Sequence, residues 1–187
     1  MIKLISNHDL AVKKNALQSL SQVVFNNHLK ILLSQQVDEL AQIALLETPI
    51  KKELIVTVDL GPFKHTVDNG SAIRKAAFSL LENMVEQYSF NQLQVVDAVI
   101  QGFQDSNDDV QVLCLNFMVK LIAICPMIVI NRIDRIVEKF QYIYQKNSNN
   151  LKKEGEAERA MNLMRGVLRV CDGLQRNSEA TSNISFQ

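Results

Sequence analysis

The residues best suited to catalytic or metal chemistry in this chain are three histidines and three cysteines. They are His8, His28, His65, Cys114, Cys125 and Cys171. The histidines fall in different predicted elements with no cysteine nearby, whereas zinc ligands come as closely spaced pairs. The cysteines lie among apolar residues without a paired motif, which is typical of reduced core thiols in a cytosolic or nuclear protein. The glycines form no phosphate-binding loop, and no Ser or Cys sits in a nucleophile motif. We therefore predict no enzyme activity, no metal site and no cofactor.

The remaining candidate function is binding of a partner protein through a pair of strands. Ile55–Val58 is a β-branched run, which favours a strand over a helix. Gly61-Pro62 is a strong turn signal, and Phe63–Val67 then alternates apolar and polar residues. These features predict a β-hairpin inserted at about residues 51–67. The candidate partner-binding residues are Lys52, Ile55, Val56, Val58, Leu60, Gly61, Pro62, Phe63, Lys64, His65 and Val67.

Two interpretations of the hairpin are open on sequence grounds. An isolated hairpin is marginally stable in water and exposes unpaired edges, so it could fold back and cover a helical core. Alternatively, it projects and docks against a partner. In that case Val56, Phe63 and Val67 would supply apolar anchors, and Lys64 and His65 polar contacts.

The elements around the hairpin follow a repeated phrase: a β-branched residue, a small residue four places on, then a large apolar one. Its copies begin at Val12, Ile73 and Val110. An Asp or Asn lies just upstream of each copy, as at a helix start: Asp9, Asn69 and Asp108. The last two copies are 37 residues apart, about the period of paired-helix repeats. The first two are 61 apart, and the 24 extra residues contain the predicted hairpin.

Seven amphipathic stretches predict about seven helices, with the hairpin between the second and third. The predicted fold is all-α: a HEAT-repeat (ARM-like) right-handed α-solenoid over residues 1–176, followed by a disordered tail at 177–187. Leu81 and Phe117 are expected in its core. The first predicted helix carries the phrase that belongs to the second helix of a paired-helix repeat, but no first helix precedes it in this chain. This predicts an exposed apolar surface on Asp9–Val24 and a chain that is the C-terminal piece of a longer protein.

Composition narrows the class of partner. The chain has 187 residues, 47% of them hydrophobic, with 20 basic and 20 acidic side chains. A balanced charge gives no electrostatic reason to propose nucleic acid or a membrane as partner.

Two groups of basic residues share helix faces, and each is either a solvated face or a secondary contact for an acidic partner. They are Arg132, Arg135 and Lys139, and Arg159, Arg165 and Arg169.

The residues around the hairpin resemble the C-terminal domain of the cullin-associated, neddylation-dissociated proteins, also described as TATA-binding-protein-interacting proteins. The resemblance runs from about Asp9 to about Glu138. It is carried by Lys52–Ile55, Gly61–Asp68, Gly70 and Ile73–Phe78, and less closely by Cys125-Pro126 and Asn131–Glu138.

The resemblance implies a specific function. Members of this family are long HEAT-repeat solenoids that wrap around cullin–RING ligase scaffolds lacking the ubiquitin-like modifier. Their C-terminal repeats lie against the cullin N-terminal domain, where a β-hairpin occupies the surface that otherwise receives the substrate-receptor adaptor. The chain is therefore expected to regulate ubiquitin-ligase assembly as a receptor exchange factor in cytoplasm and nucleus. The alternatives are a generic HEAT scaffold or transport adaptor, and a transcription-linked role through a TATA-binding protein.

Overall fold

The computed structural model describes residues 2–26, 28–60, 63–148 and 156–184. These residues form nine α-helices, two 3₁₀ helices and one two-stranded sheet. The helices are α1 Ile2–Ile5, α2 Leu10–Phe25, α3 Val37–Leu45, α4 Ser71–Gln87, α5 Leu93–Gly102, α6 Asp108–Ile124, α7 Pro126–Ile130, α8 Ile133–Ser148 and α9 Ala157–Ile184. The 3₁₀ helices are Lys30–Gln36 and Lys52–Leu54, and the strands are β1 Ile55–Leu60 and β2 Phe63–Asp68. The predicted fold class, an all-α helical repeat with one inserted hairpin, is confirmed.

The repeated phrase forms the starts of α2, α4 and α6, with three different caps. Asp9 accepts hydrogen bonds from two first-turn N–H groups at 2.8 and 3.1 Å, as a helix N-cap does. In the third copy the capping side chain is Asn107, one residue before the predicted Asp108. In the middle copy the cap position is Gly70 and has no side-chain hydrogen bond, so the prediction for Asn69 is wrong.

Two of the seven predicted helical stretches are divided in the structure. The second consists of the 3₁₀ helix Lys30–Gln36 followed by α3, and the sixth consists of α7 and α8. Pro126 occupies the first turn of α7, where its missing N–H costs nothing. A turn at residues 131–132 separates α7 from α8, and the Arg132 side chain there pairs with Asp97 of α5.

The chain divides into two compact units, at residues 1–90 and 91–187. In the first unit α2 and α3 both pack against α4, and α1 packs against α2. Leu17 and Leu20 of α2 and Leu40 of α3 are fully buried, as are Phe78 and Leu81 of α4. Burial of apolar side chains along one stripe of each helix is what the amphipathic pattern predicts. The core position predicted for Leu81 is confirmed.

In the second unit α6 packs against α5 and α9, and α8 also contacts α9. Phe117 of α6 is fully buried, as predicted. Phe103 and Phe140 stack with ring centroids 5.5 Å apart. Of the three cysteines, Cys114 and Cys125 are buried, but Cys171 is exposed on α9 and is not the core thiol that its apolar neighbours suggested.

The apolar surface expected on Asp9–Val24 lies elsewhere. Within that range the exposed residues are polar apart from Ala11, because α1 and α4 pack against α2. The exposed large side chains of this region follow instead, at the end of α2 and in the 3₁₀ segment. They are Phe25, Leu29, Ile31 and Leu32.

The C-terminal region differs from the predicted tail. Helix α9 continues through Ile184, past residue 177 where the tail was expected to begin. No Gly or Pro interrupts residues 177–184, so nothing in the backbone chemistry ends the helix there. Residues 185–187 lie outside the described part of the chain, so disorder there stays a prediction. Within the described ranges, no helix is long and apolar enough to cross a membrane.

Candidate partner-binding site

The two strands form the predicted hairpin. β1 and β2 pair antiparallel with Leu60 opposite Phe63, which leaves a two-residue connection. That connection, Gly61-Pro62, lies outside the described residues. The strands occupy residues 55–60 and 63–68, so the insertion predicted at about 51–67 is in the right place. Its first residues, Lys52–Leu54, form a short 3₁₀ helix instead of a strand.

One face of the hairpin presents three valines to solvent. Val56 lies opposite Val67, and Val58 lies two residues further along the same face. Their exposed fractions are 45% for Val56, 36% for Val67 and 39% for Val58. Thr57 and Thr66, which are paired on the opposite face, are also exposed. Because both faces are open at these positions, the hairpin here does not cover a helical core.

The candidate contact residues fall into three groups. Lys52 is exposed and Ile55 is half-buried at the base of the hairpin, while Val56, Val58 and Val67 form the apolar face. Backbone pairing places Leu60, Phe63, Lys64 and His65 in the strands, and their side chains are outside the described set. Gly61 and Pro62 lie outside the described residues. The binding roles of all of them stay predictions.

An ion pair ties the end of β2 to the first turn of α4. Arg74 Nη2 lies 2.6 Å from Asp68 Oδ2, and Arg74 Nη1 donates to Asp68 Oδ1 at 3.2 Å. The Arg74 side chain is only 2% exposed. Two parallel N–H···O bonds of this kind fix both the distance and the orientation of the partners. The Asp68 carboxylate also accepts from the Gly70 N–H at 2.9 Å.

The backbone around this ion pair is closely packed. The Asn69 N–H donates to the Leu54 carbonyl at 3.0 Å, which joins the two ends of the hairpin. A Cβ atom on Gly70 would lie 3.1 Å from Leu54 Cδ1 and 3.2 Å from Arg74 Nη1. Any larger residue at position 70 would therefore push the Leu54 side chain or the guanidinium away.

A second ionic contact lies before β1. The Glu47 carboxylate is nearly buried and accepts from Lys13 Nζ of α2 at 2.7 Å and from Lys51 Nζ at 2.5 Å. This bridge ties helix α2 to the segment that enters the hairpin. Arg74 entered the sequence interpretation only as part of the segment Ile73–Phe78, and Glu47 had no role in it.

The Asp68–Arg74 pair has a counterpart in the next repeat that is visible in the sequence. Asp105 and Gln111 stand 37 residues after Asp68 and Arg74, at the same six-residue spacing. There the Asn107 N–H donates to Asp105 Oδ1 at 2.8 Å, as Gly70 does to Asp68. The buried Gln111 amide donates to the backbone carbonyl of Asp105 and leaves its own oxygen without a hydrogen bond. In the equivalent repeat a neutral Gln111 stands at the position of Arg74, so no ion pair joins these two positions.

The predicted basic faces are largely engaged with neighbouring side chains. Arg132 and Arg135 both contact Asp97 of α5, at 2.8 and 2.5 Å. On α9, Arg165 donates to Asn162 and Arg169 donates to Asn116 of α6. The two contacts on α9 are exposed, and exposed pairs of this kind contribute little to folding stability.

Paired amphipathic helices with an exposed strand pair define a helical-repeat protein. Among the described residues, no group of side chains could hold a metal ion. The family model TIP120, described as TATA-binding protein interacting, matches residues 32–187, and the chain belongs to this family. The match confirms the resemblance carried by Gly61–Asp68 and Ile73–Phe78. It also continues well beyond Glu138, where the resemblance was expected to fade.

Curated relatives carry related names. The chain is 29% identical over 97% of its length to Cullin-associated NEDD8-dissociated protein 2 of Rattus norvegicus. It is 32% identical over 94% of its length to Cullin-associated NEDD8-dissociated protein 1 of Arabidopsis thaliana. It is 28% identical over 94% to the C-terminal part of the protein of that name in Emericella nidulans. The chain spans only 14% of the length of the first two relatives and 17% of the third.

Proposed function

We propose that this chain is a non-enzymatic regulator of cullin–RING ligase assembly that binds a cullin N-terminal domain through its hairpin. In this proposal the hairpin competes with the substrate-receptor adaptor for the cullin surface and so promotes receptor exchange. The names of the relatives, which describe association with cullins, support the choice of partner. The family's HEAT-like repeats support a binding role.

The observation that carries the proposal is the exposed valine face. Val56, Val58 and Val67 lie side by side on a two-stranded sheet that has no helix over these positions. Exposed β-branched side chains on an uncovered sheet favour aggregation unless a partner covers them. By strand alternation, positions 60 and 63 continue the same face toward the tip. A partner with an apolar groove fits this face better than a nucleic acid or a membrane, since the chain's net charge is zero.

A transcription-linked role is the second candidate. The family description names a TATA-binding protein as partner, which is the observation in its favour. The same exposed face could serve either protein, so the two candidates differ in partner and not in binding surface. Binding measured separately against a purified cullin N-terminal domain and a purified TATA-binding protein would distinguish them.

The direct test compares the two faces of the hairpin. The variant Val56→Ser/Val58→Ser/Val67→Ser removes the apolar face, and the control Thr57→Ala/Thr66→Ala alters the opposite face of the same strands. Binding to the cullin N-terminal domain, measured by calorimetry, should weaken at least about tenfold in the first variant, because buried apolar anchors supply most interface energy. The threonine control should bind like the parent chain. Equal affinity for all three proteins would reject the valine face as the binding surface.

A further inference from the structure

We propose that Arg74 and Glu47 are positioning residues that hold the hairpin in a fixed direction relative to helices α2 and α4. The consequence for recognition rests on the proposed function, but the positioning itself is a property of this chain alone. Neither residue is part of the exposed valine face. Each acts through the residues at the base of the hairpin.

The first fastening holds β2. Asp68 is the last residue of that strand, and Arg74 lies in the first turn of α4, with a short turn between them. The guanidinium is planar and engages both carboxylate oxygens, so it restricts rotation of Asp68 as well as its distance. A lysine at position 74 would keep the charge but provide only a single point of attachment.

The second fastening holds the approach to β1. Lys51, four residues before β1 begins, forms an ion pair with Glu47. Glu47 also forms an ion pair with Lys13 of α2. The bond from Asn69 N–H to the Leu54 carbonyl joins the two fastened ends. Each strand of the hairpin is therefore connected by charged groups to a different helix of the first unit.

Comparison with the next repeat is the reason to give the Asp68–Arg74 pair a positioning role in addition to a stabilising one. At the equivalent site, the neutral Gln111 amide donates to the Asp105 backbone carbonyl, and α6 nevertheless packs with a fully buried core. Helix packing in this repeat thus does not require an ion pair between these two positions. The carboxylate–guanidinium pair occurs where the chain carries a projecting hairpin. A buried ion pair is weak evidence of net stability, and in some proteins such groups specify a unique geometry instead.

Fixed direction matters because only correctly oriented hairpins can dock. If the competent orientation is populated in a fraction of molecules, the apparent affinity falls by that fraction. A hairpin that points correctly in about a tenth of molecules would bind about tenfold more weakly with no contact residue changed. This loss is distinct from the loss caused by removing the valine face.

Pulsed electron spin resonance tests the positioning without any partner. Spin labels are attached through Thr57→Cys on β1 and Gln18→Cys on α2, both exposed positions, in a Cys171→Ser background. The parent chain should give one narrow distance distribution. Arg74→Lys, Asp68→Asn and Glu47→Gln should each broaden or shift it. The control Leu81→Ala weakens the core of α4 but leaves both fastenings intact, so its distribution should stay narrow.

The outcomes separate the two proposals. Narrow, unshifted distributions in all three base variants would overturn the positioning role. Broadening in Leu81→Ala as well would also overturn it, because any loss of stability would then suffice. If Arg74→Lys does not fold, Lys51→Ala keeps the test available, since the Lys51 side chain is half-buried and lies outside the core. Broadened distributions with cullin affinity unchanged even in the valine-face variant would support positioning and reject the proposed function.

Discussion

Gly166 of α9 approaches Leu115 of α6 so closely that a Cβ atom on the glycine would lie 2.8 Å from Leu115 Cδ1. Gly173, two turns further along α9, has more room, since its Cβ would lie 3.4 Å from Ile122 Cδ1. The two helices are therefore closer at Gly166 than at Gly173. No periodicity in the sequence indicated this close approach.

This difference predicts opposite effects of the same substitution. Gly166→Ala should destabilise the second unit by about 1–3 kcal/mol, because the added methyl group overpacks the helix contact. Gly173→Ala should be neutral or stabilising by up to about 1 kcal/mol, since alanine is the better helix former. Urea unfolding followed by circular dichroism measures both. Equal changes for the two variants would contradict the close approach of α6 and α9 at Gly166.

The predicted core positions give a second test. Leu81→Ala in the first unit and Phe117→Ala in the second should each lower the free energy of unfolding by about 2–5 kcal/mol, because both side chains are fully buried. Leu168→Ala on the exposed face of α9 is the control and should change it by less than about 0.5 kcal/mol. A core variant as stable as the control would place that side chain outside the core.

The helix caps give a third test. Asp9→Ala should cost about 1 kcal/mol, because it removes the acceptor for two N–H groups at the start of α2. Asn69→Ala is the matched control at the corresponding point before α4, where no side-chain cap is present, and should cost less than about 0.5 kcal/mol. Thermal unfolding of the two variants side by side measures the difference. If Asn69→Ala lowered the stability as much as Asp9→Ala, the assignment of a side-chain cap to α2 and none to α4 would be wrong.

The cysteines predict selective alkylation. Cys171 is exposed and should react first, while Cys114 and Cys125 are buried. Desolvation by burial still raises the pKa of the Cys171 thiol above its usual value, and a backbone hydrogen bond lowers it by less. Because the thiolate is the nucleophile, the rate near pH 7 should be below that of an ordinary exposed thiol and should keep rising into a more alkaline range.

Iodoacetamide labelling followed by mass spectrometry measures that rate. The native chain should take up one label rapidly, and Cys171→Ser should remove this fast phase. Rapid labelling of two or three thiols in the folded chain would contradict the burial of Cys114 and Cys125.

Local patterns predicted most of the elements. The three- and four-residue spacing of apolar side chains located the helices, and the β-branched run before Gly61-Pro62 located the hairpin, because both signals depend on neighbours in sequence. These patterns did not predict that α7 and α8 are separate helices, or that the second stretch begins as a 3₁₀ helix. At the turn between α7 and α8, Arg132 pairs with Asp97 of α5, a tertiary contact that no local pattern specifies.

The base of the hairpin was harder to predict for the same reason. Glu47 gains its partners from Lys51 nearby and from Lys13, 34 residues away, and no local pattern specifies the second contact. The Asp68–Arg74 pair was accessible in principle, since its spacing recurs 37 residues later in Asp105 and Gln111. Recognising it requires comparison of polar positions between repeats as well as the apolar phrase.

Removal of the hairpin tests the central proposal most directly. Residues 55–67 are replaced with a short Gly/Ser linker, which leaves Asp68 and Arg74 in place. The helices of the first unit should remain folded, because the exposed strand positions add nothing to their core. Far-ultraviolet circular dichroism of the deleted protein checks this condition.

The measurement is adaptor release from a preformed complex of a cullin N-terminal domain with its adaptor, comparing the parent chain and the hairpin-deleted chain. The proposal predicts that the parent chain accelerates release and that the deleted chain leaves the complex at its spontaneous rate. Phe63→Ala should fall between the two if the side chain next to the turn enters a pocket on the cullin. Equal release by parent and deleted chains, or no acceleration by the parent chain, would contradict the proposal that the hairpin displaces the adaptor.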